Sequence, residues 1–302
     1  MQEFRDRVAV VTGAASGIGF AMAERFAAEG MKVVMADIET EALAIAAAGL
    51  EKKGAVILAS RTDVSKAEEI EKLAQKTFDA FGGVHVLCNN AGVEVIGLTW
   101  EHTLADWEWV LGVNLWGVIH GVRSFLPRML EMDEEAHIVN TASMAGLTTA
   151  PFMSVYDVSK HGVVALSESL YKELAATGAK VGVSVLCPGL INTNIIQSKR
   201  NRPAALDDEG RFGEASKAFR AGLATGLETG WPPSQVADEV FAAIQAKRFY
   251  VVASQPELKD SIRLRAEDLI EERNPTIRDI LAEADQSDQV APPGDDASAV
   301  LE

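Results

Sequence analysis

The chain has 302 residues, of which 48% are hydrophobic and 24% charged, and its formal net charge is −16. This composition is typical of a globular protein and excludes a disordered chain. The acidic balance disfavours nucleic acid as the main partner, because phosphate binding needs a basic face. Two cysteines are too few for a secreted disulfide scaffold, and no apolar run approaches the roughly 20 residues that cross a bilayer. Because no apolar signal core follows Met1, we expect a cytoplasmic protein with no membrane partner.

Short apolar runs alternate along the chain with longer segments of helical period. The runs predicted as strands are 8–12, 32–37, 55–61, 84–89, 137–141, 181–187 and 249–253. The predicted helices lie near 17–29, 39–53, 65–81, 104–131, 154–177 and 233–247. Apolar strands separated by helices indicate a parallel sheet covered on both faces. We therefore expect an α/β fold of the doubly wound Rossmann type, a three-layer sandwich.

Three segments complete the predicted organisation. The catalytic domain is expected over 1–255, and within it 194–230 is polar, charged and without a clear strand, which is typical of a lid or substrate loop. Residues 256–285 are predicted to form a helical extension that packs on a partner subunit or on the domain edge. The acidic tail 286–302 has the composition of a disordered segment.

The first strand runs directly into a glycine-rich turn at the start of the first helix. The turn reads Gly13-Ala-Ala-Ser16-Gly17-Ile18-Gly19, with the spacing G-x-x-x-G-x-G. Glycines at such a junction let the backbone approach a pyrophosphate, whose charge meets the helix N-terminus. The sequence therefore predicts a dinucleotide site here.

Asp37 ends the second strand and indicates which dinucleotide binds. An acid at this place accepts hydrogen bonds from the adenosine ribose hydroxyls and repels a 2′-phosphate. The next residue is Ile38, and no Lys or Arg stands in the glycine turn. The residues favour NAD over NADP, although Asp37 can also be a helix cap.

Polar residues follow the third and fourth strands as well. Asp63 and Val64 come after the third strand, and Asn90, Ala91 and Gly92 come after the fourth. Open α/β sheets bind ligands at the carboxyl ends of their strands, so these residues are candidates for the same site. Asp63 can alternatively cap the helix that follows it.

With these stretches, the chain resembles the short-chain dehydrogenase/reductase family over residues 5–253. The resemblance rests on Thr12-Gly-x-x-x-Gly-Ile-Gly19, Asn89-Asn-Ala-Gly92, Asn114, Ser143, Tyr156-x-x-x-Lys160 and Pro188-Gly189 with Thr193. It implies a single Rossmann-type domain with a seven-stranded parallel sheet, and a homo-oligomer, a tetramer or a dimer.

The resemblance also implies roles for residues around the cofactor. Asn90 and Gly92 would border the adenosine, together with Ala91, and Asp63 would contact the adenine beside Val64. Ile191 and Thr193, which follow Pro188 and Gly189, would hold the nicotinamide carboxamide.

Tyr156 and Lys160 lie four residues apart in a segment of helical period, so both face one side of a helix, one turn apart. A phenol with its ordinary pKa of about 10 is a poor base at neutral pH. We expect the Lys160 ammonium and the positive nicotinamide ring to lower the pKa of Tyr156. Ser143, just after a strand, is expected to hydrogen-bond the reacting oxygen.

Asn114 interrupts a very apolar helical stretch, and a buried amide needs hydrogen-bond partners. By resemblance it orders a water beside Lys160 and completes a proton relay from Tyr156. The hypothesis is then an NAD-dependent oxidoreductase that interconverts a secondary alcohol and a ketone. The residues expected around the substrate are mainly apolar and suggest a largely apolar substrate. Glu94 is an unusual acid among these residues.

Other interpretations stay open at this point. One is an NADP-dependent carbonyl reductase of the same fold, and another is a non-catalytic NAD-binding sensor or assembly protein. An epimerase or dehydratase fits the Gly13–Gly19 spacing poorly. The five histidines form no pair at metal-ligand spacing, so no metal is expected. Lys199, Arg200 and Arg202 are interpreted as a solvated loop face.

Overall fold

The computed structural model describes residues 1–207 and 212–276, and its centre is one parallel sheet of seven strands. The strands are β1 Val8–Thr12, β2 Lys32–Asp37, β3 Ile57–Arg61, β4 Val86–Asn89, β5 Ala136–Thr141, β6 Val181–Leu186 and β7 Tyr250–Val251. Their order in the sheet is β3-β2-β1-β4-β5-β6-β7, and every pairing is parallel. This confirms the predicted fold class.

Helices cover both faces of the sheet. They are α1 Gly17–Ala28, α2 Thr40–Glu51, α3 Ala67–Phe81, α4 Leu104–Leu111, α5 Gly117–Glu131, α6 Ser154–Thr177, α7 Glu214–Glu228, α8 Pro233–Ala246 and α9 Pro256–Ile270. Apolar side chains of α1, α2 and α8 form the core on one face, and those of α3, α5 and α6 form the core on the other. The inner strands β1, β2, β4, β5 and β6 are mostly buried from both sides, which is why they are largely apolar in sequence, whereas the edge strand β3 is partly exposed.

The connectivity determines where a ligand site can form. From β1 the chain first adds β2 and β3 on one side of the sheet, and then β4 to β7 on the other. The loops after β1 and β4 therefore leave the sheet in opposite directions and open a crevice at the carboxyl ends of these strands. The glycine turn and the segment 90–92 lie at this crevice.

The segment 194–230, predicted without a strand as a lid or substrate loop, contains helical structure that the sequence analysis did not predict. Short 3₁₀ turns occur at Ile195–Asn201 and Ala204–Leu206, and α7 then occupies Glu214–Glu228. The spacing of Phe219, Leu223 and Leu227 is a helical signal, which Gly222 and Gly226 weaken in the sequence.

The last helix of the described chain is α9, and six more residues follow it. The predicted extension 256–285 is described only as far as residue 276, and the predicted tail 286–302 lies outside the described residues. Within the described ranges, no helix combines the length and the apolar character that spanning a membrane requires.

Candidate active site

The glycine turn brings the backbone of β1 close to that of β4. Gly13 and Gly17 have φ values of +66° and +55°, a region that favours glycine. A Cβ on Gly13 would lie 2.9 Å from the Cα of Ala91, and one on Gly19 would overlap the carbonyl oxygen of Gly13. Only glycine fits at positions 13 and 19. The turn leaves an open cradle at the N-terminus of α1.

Asp37 lies at the rim of this cradle. Its Oδ2 accepts a hydrogen bond from the backbone N–H of Ala15 at 2.9 Å, and its Oδ1 accepts one from Glu39 at 3.0 Å. Burial raises the pKa of the Asp37 carboxyl, and these two hydrogen bonds oppose the rise. The carboxyl group is therefore fixed in orientation on the side of the glycine turn.

The Asn90 side chain joins the ends of three strands. Its backbone N–H donates to Oγ1 of Thr12 at 2.9 Å, and its Nδ2 donates to the Thr12 carbonyl at 3.0 Å. Its Oδ1 accepts from Oγ1 of Thr141 at 3.3 Å, and Ala91 N–H shares the Thr12 hydroxyl at 3.1 Å. This network holds the crevice open at a fixed width.

Asp63 forms a local turn and does not cap α3, contrary to the alternative interpretation; the N-cap residue of α3 is Lys66, without a side-chain cap hydrogen bond. The Oδ1 of Asp63 accepts hydrogen bonds from the backbone N–H and the hydroxyl of Ser65, at 3.0 and 2.7 Å. Asp63 also lines the crevice beside Val64.

We call the crevice the glycine-turn cleft. Most of the predicted cofactor residues line it, namely Gly13, Ser16, Gly17, Ile18, Gly19, Asp37, Asp63, Val64, Asn90, Ala91, Gly92, Tyr156, Lys160, Pro188 and Thr193. Gly189 and Ile191 do not; they line a second cavity next to it. The predicted cofactor residues are thus divided between two neighbouring cavities.

Sequence reasoning missed the contribution of the 195–203 segment to the cleft. Arg200 and Asn201 line it, and both donate hydrogen bonds to Oε1 of Glu39. The expectation of a solvated face is wrong for Arg202, whose side chain is 2% exposed and pairs with the fully buried Asp106. That pair joins residues 96 positions apart, so no local spacing indicated it.

Tyr156 and Lys160 lie on one side of α6, as their spacing predicts. Nζ of Lys160 lies 5.5 Å from the centre of the Tyr156 ring and donates a hydrogen bond to the carbonyl of Thr141 at 3.0 Å. Ser143 lies beyond the end of β5, where its Oγ accepts from Ala145 N–H at 3.1 Å and is hydrogen-bonded to the Tyr156 hydroxyl. The three side chains therefore meet at the end of β5.

Lys160 is expected to lower the pKa of Tyr156, but the protein's own groups raise it. Burial raises it, the charge of Glu94 raises it further, and the hydrogen bond with Ser143 opposes both. Burial also lowers the pKa of Lys160 to about 8, so its ammonium is a weaker source of positive charge than an exposed lysine near neutral pH.

Asn114 lies in a π-helical turn, Gly112–Trp116, between α4 and α5. Its Oδ1 accepts from Val93 N–H at 2.8 Å, and its Nδ2 donates to the Val93 carbonyl at 2.9 Å and to Oγ of Ser159 at 3.0 Å. A Cβ on Gly92 would lie 3.5 Å from both Oδ1 of Asn114 and Nζ of Lys160. Asn114 therefore lies behind the cleft, close to Lys160.

The second cavity, which we call the apolar pocket, has walls from six parts of the chain. It encloses about 970 Å³ of empty space including its open mouth. Its main apolar residues are Met144, Met153, Leu190, Phe219, Leu223 and Leu258. Leu258 and Ser261 belong to α9, so the extension closes this pocket, a position that sequence reasoning did not foresee.

Tyr156 lines both the glycine-turn cleft and the apolar pocket. Ser143 faces only the pocket, and Lys160 only the cleft. The phenol therefore lies at the boundary between the two cavities, where a molecule in one meets a molecule in the other.

The sequence profile described as short chain dehydrogenase matches residues 7–204 of this chain. The chain belongs to the short-chain dehydrogenase family. Its members are oxidoreductases with a Rossmann-type fold, which agrees with the architecture described above.

Several short-chain dehydrogenases are similar over most of their length. A solved short-chain dehydrogenase/reductase from Burkholderia phymatum, in complex with NAD, is 46% identical, with 92% of this chain and 99% of that chain covered and a TM-score of 0.90. The 1-deoxy-11-beta-hydroxypentalenate dehydrogenase of Streptomyces exfoliatus is 38% identical, with 82% and 83% covered. The C alpha-dehydrogenase of a Sphingobium species is 32% identical, with 90% and 88% covered.

Proposed function

We propose that this short-chain dehydrogenase uses NAD and interconverts a secondary alcohol and a ketone. The observation that carries the proposal is the position of Tyr156 at the boundary of the glycine-turn cleft and the apolar pocket. A proton donor at this boundary can reach a substrate oxygen in the pocket while the substrate carbon faces the cleft.

The residues of the cleft fit a dinucleotide. Glycines at positions 13 and 19 let the turn pack tightly on itself and against Asn90 and Ala91, and the turn opens at the N-terminus of α1, where a pyrophosphate is stabilised. The partly buried Asp37 carboxyl favours ribose hydroxyls over a 2′-phosphate. Arg200 is paired with Glu39 and is thereby occupied. The similarity to a structure in complex with NAD supports the same choice.

The proposed chemistry assigns one role to each side chain. Bound NAD supplies the acceptor for the hydride of the carbinol carbon. Tyr156 takes the proton of the alcohol hydroxyl, or returns it to the ketone oxygen in the reverse direction. Ser143 holds the same oxygen as its charge changes. Because the protein's own groups raise the pKa of Tyr156, the neutral phenol is the resting form, ready to protonate a ketone.

Lys160 and Asn114 complete the proposed proton path. Lys160 is held by the carbonyl of Thr141, and its pKa of about 8 allows it to gain and lose a proton near neutral pH. Oδ1 of Asn114 has used one lone pair on Val93 and retains a second near Lys160. A water between these two groups would connect Tyr156 to solvent.

Replacement of the phenol tests the proposal. We expect Tyr156→Phe to reduce turnover of secondary alcohols by at least about 100-fold, the range of general acid–base catalysis. NADH binding, measured by fluorescence, should stay nearly unchanged because the cleft keeps its shape. Production of NADH is followed by absorbance across cyclic, aryl and aliphatic alcohols. A variant with the wild-type rate would refute the assignment, and NADH binding without turnover of any alcohol by the wild type would favour a sensor.

A further inference from the structure

Glu94 is a buried acid in the wall of the apolar pocket that the proposed chemistry does not use. The residue is 9% exposed, and its Oε1 accepts no hydrogen bond within residues 1–207 and 212–276. Its backbone N–H is satisfied by Oγ of Ser198 at 3.2 Å, so the position of its backbone is fixed. Within the described residues, Oε1 of the carboxyl group is therefore the buried polar atom of Glu94 that lacks a partner.

Keeping this carboxyl group in the pocket has a cost. Burial raises the pKa of Glu94 to about 7, and the charge of Arg220 lowers it by less. The guanidinium of Arg220 donates a hydrogen bond to the carbonyl of Ile196 at 2.6 Å. A buried polar atom without a protein partner is destabilising, and such atoms are expected where a bound ligand supplies the missing hydrogen bond.

A second acid, Asp157, lines the same pocket but has a partner of its own. Its Oδ2 accepts a hydrogen bond from the backbone N–H of Ala150 at 3.2 Å, which ties the loop before α6 to the helix. Its Oδ1 lacks a partner within the described chain. Asp157 therefore has a structural role already, whereas no hydrogen bond to the carboxyl group of Glu94 is found within the described residues.

We propose that the substrate is an alcohol with a second hydroxyl group, and that Glu94 is the specificity-determining residue that accepts a hydrogen bond from this hydroxyl. The proposal rests on the proposed function of the site, because the reacting carbinol must lie at Tyr156. A neutral hydroxyl suits the pocket better than an ammonium group, since the other walls are mainly apolar and a cation would lose its hydration there.

Binding to the enzyme saturated with NADH tests the proposal without turnover. The probes are cyclohexanone and the three isomeric hydroxycyclohexanones. Their dissociation constants are measured by quenching of NADH fluorescence. We expect the wild type to bind at least one hydroxyketone about 10-fold or more tighter than cyclohexanone. Glu94→Leu should abolish this preference, and Glu94→Gln should keep most of it because an amide oxygen also accepts from a hydroxyl. Asp157→Asn should leave it unchanged.

Thermal unfolding of the same variants without ligand is the second measurement. If Glu94 is kept for a ligand, Glu94→Leu raises the melting temperature, because an unpartnered buried acid is removed. A lower melting temperature for Glu94→Leu than for the wild type would show that Glu94 has a structural role and would overturn the proposal. This measurement decides even if none of the four ketones binds. Loss of the preference in Asp157→Asn but not in Glu94→Leu would overturn it as well. Since binding needs no proton transfer, these results are independent of the Tyr156→Phe test.

Discussion

Ionisable side chains at the candidate site are held away from water, and burial shifts the pKa of each towards its neutral form. Burial raises the pKa values of Glu94 and Asp157 to about 7 and lowers that of Lys160 to about 8. All three groups are thereby poised near neutral pH, where a group can both give and take a proton. Perturbed groups beside a cavity are typical of functional sites, and here they surround one phenol.

Lys160 makes the stability of the protein depend on pH in the alkaline range. Its pKa is about 8 in the folded protein and near 10.5 in an unfolded chain. Between these values the unfolded chain binds the proton and the folded protein does not, so stability rises from pH 8 to 10.5. The contribution of Lys160 to the free energy of unfolding is fully present above pH 10.5 and is lost as the pH falls through 8. It amounts to about 3 kcal/mol, at 1.4 kcal/mol per pKa unit.

We therefore predict that Lys160→Met lacks this dependence. The free energy of unfolding, measured with denaturant from pH 7 to 10.5, should rise less with pH in the variant than in the wild type. Lys172→Met, a change at an exposed lysine of α6, is the control and should keep the wild-type slope. Equal slopes for Lys160→Met and wild type would show that the lysine is not desolvated.

At the scale of elements, much of the fold could be predicted because its signal is local. The bounds of β1 and β2 agree with the sequence prediction, since both strands are apolar runs between turn residues. The residues of the glycine turn were also found from sequence, because a strand, a turn and a helix are consecutive there. The π-helical turn at Asn114 and helix α7 were not predicted, since each departs from the usual helical pattern.

Glu94 was expected from sequence among the residues around the substrate, and the structure places it in the wall of the apolar pocket. The pairing of Arg202 with Asp106 could not be predicted. It depends on how the 195–206 segment crosses over the cavities, which is a matter of contacts between residues distant in sequence. Sequence spacing carries no information on such contacts. The candidate residues were therefore found more easily than the shape of the pocket they surround.

The glycine turn gives a matched pair of substitutions. In Gly19→Ala the new Cβ overlaps the carbonyl oxygen of Gly13, so the turn must move, and we expect a loss of about 2 kcal/mol in stability and much weaker NADH binding. In Gly49→Ala, within α2, the Cβ meets no atom within 4 Å, and we expect a gain of about 1 kcal/mol. Denaturant unfolding and NADH titration measure both. Unchanged NADH affinity in Gly19→Ala would contradict the role of the cradle.

Helix α9 gives a second matched pair. Leu258 lines the apolar pocket, while Leu269 on the same helix is 65% exposed. We predict that Leu258→Asp raises KM for apolar alcohols by about 10-fold and leaves the Kd for NADH unchanged, since a charge replaces apolar wall. Leu269→Asp should alter neither constant. Steady-state kinetics and NADH titration check this, and an unchanged KM for Leu258→Asp would remove α9 from the substrate site.

At the scale of the whole molecule, we propose a homo-oligomer. Trp116 and Val158 are each about half exposed, on the π-helical turn and on α6, two segments that pack against each other. Exposed apolar side chains on adjoining elements are typical of an interface between subunits.

The mass in solution tests this proposal. We expect light scattering to give a dimer or tetramer for the wild type and a smaller mass for Val158→Glu, because a charge would be buried in the interface. Ile45→Glu changes a residue on α2 that is 75% exposed, and it should leave the mass unchanged. A monomeric wild type would contradict the proposal.

The family profile ends at residue 204, yet part of the apolar pocket is built from α7 and α9, further along the chain. The groups assigned to proton transfer are all encoded upstream of that limit. The pocket wall is therefore encoded on both sides of that limit, with Glu94 and Met144 before it and Phe219 and Leu258 after it. Substitutions in α7 and α9 can change the shape of the pocket without altering any group assigned to proton transfer.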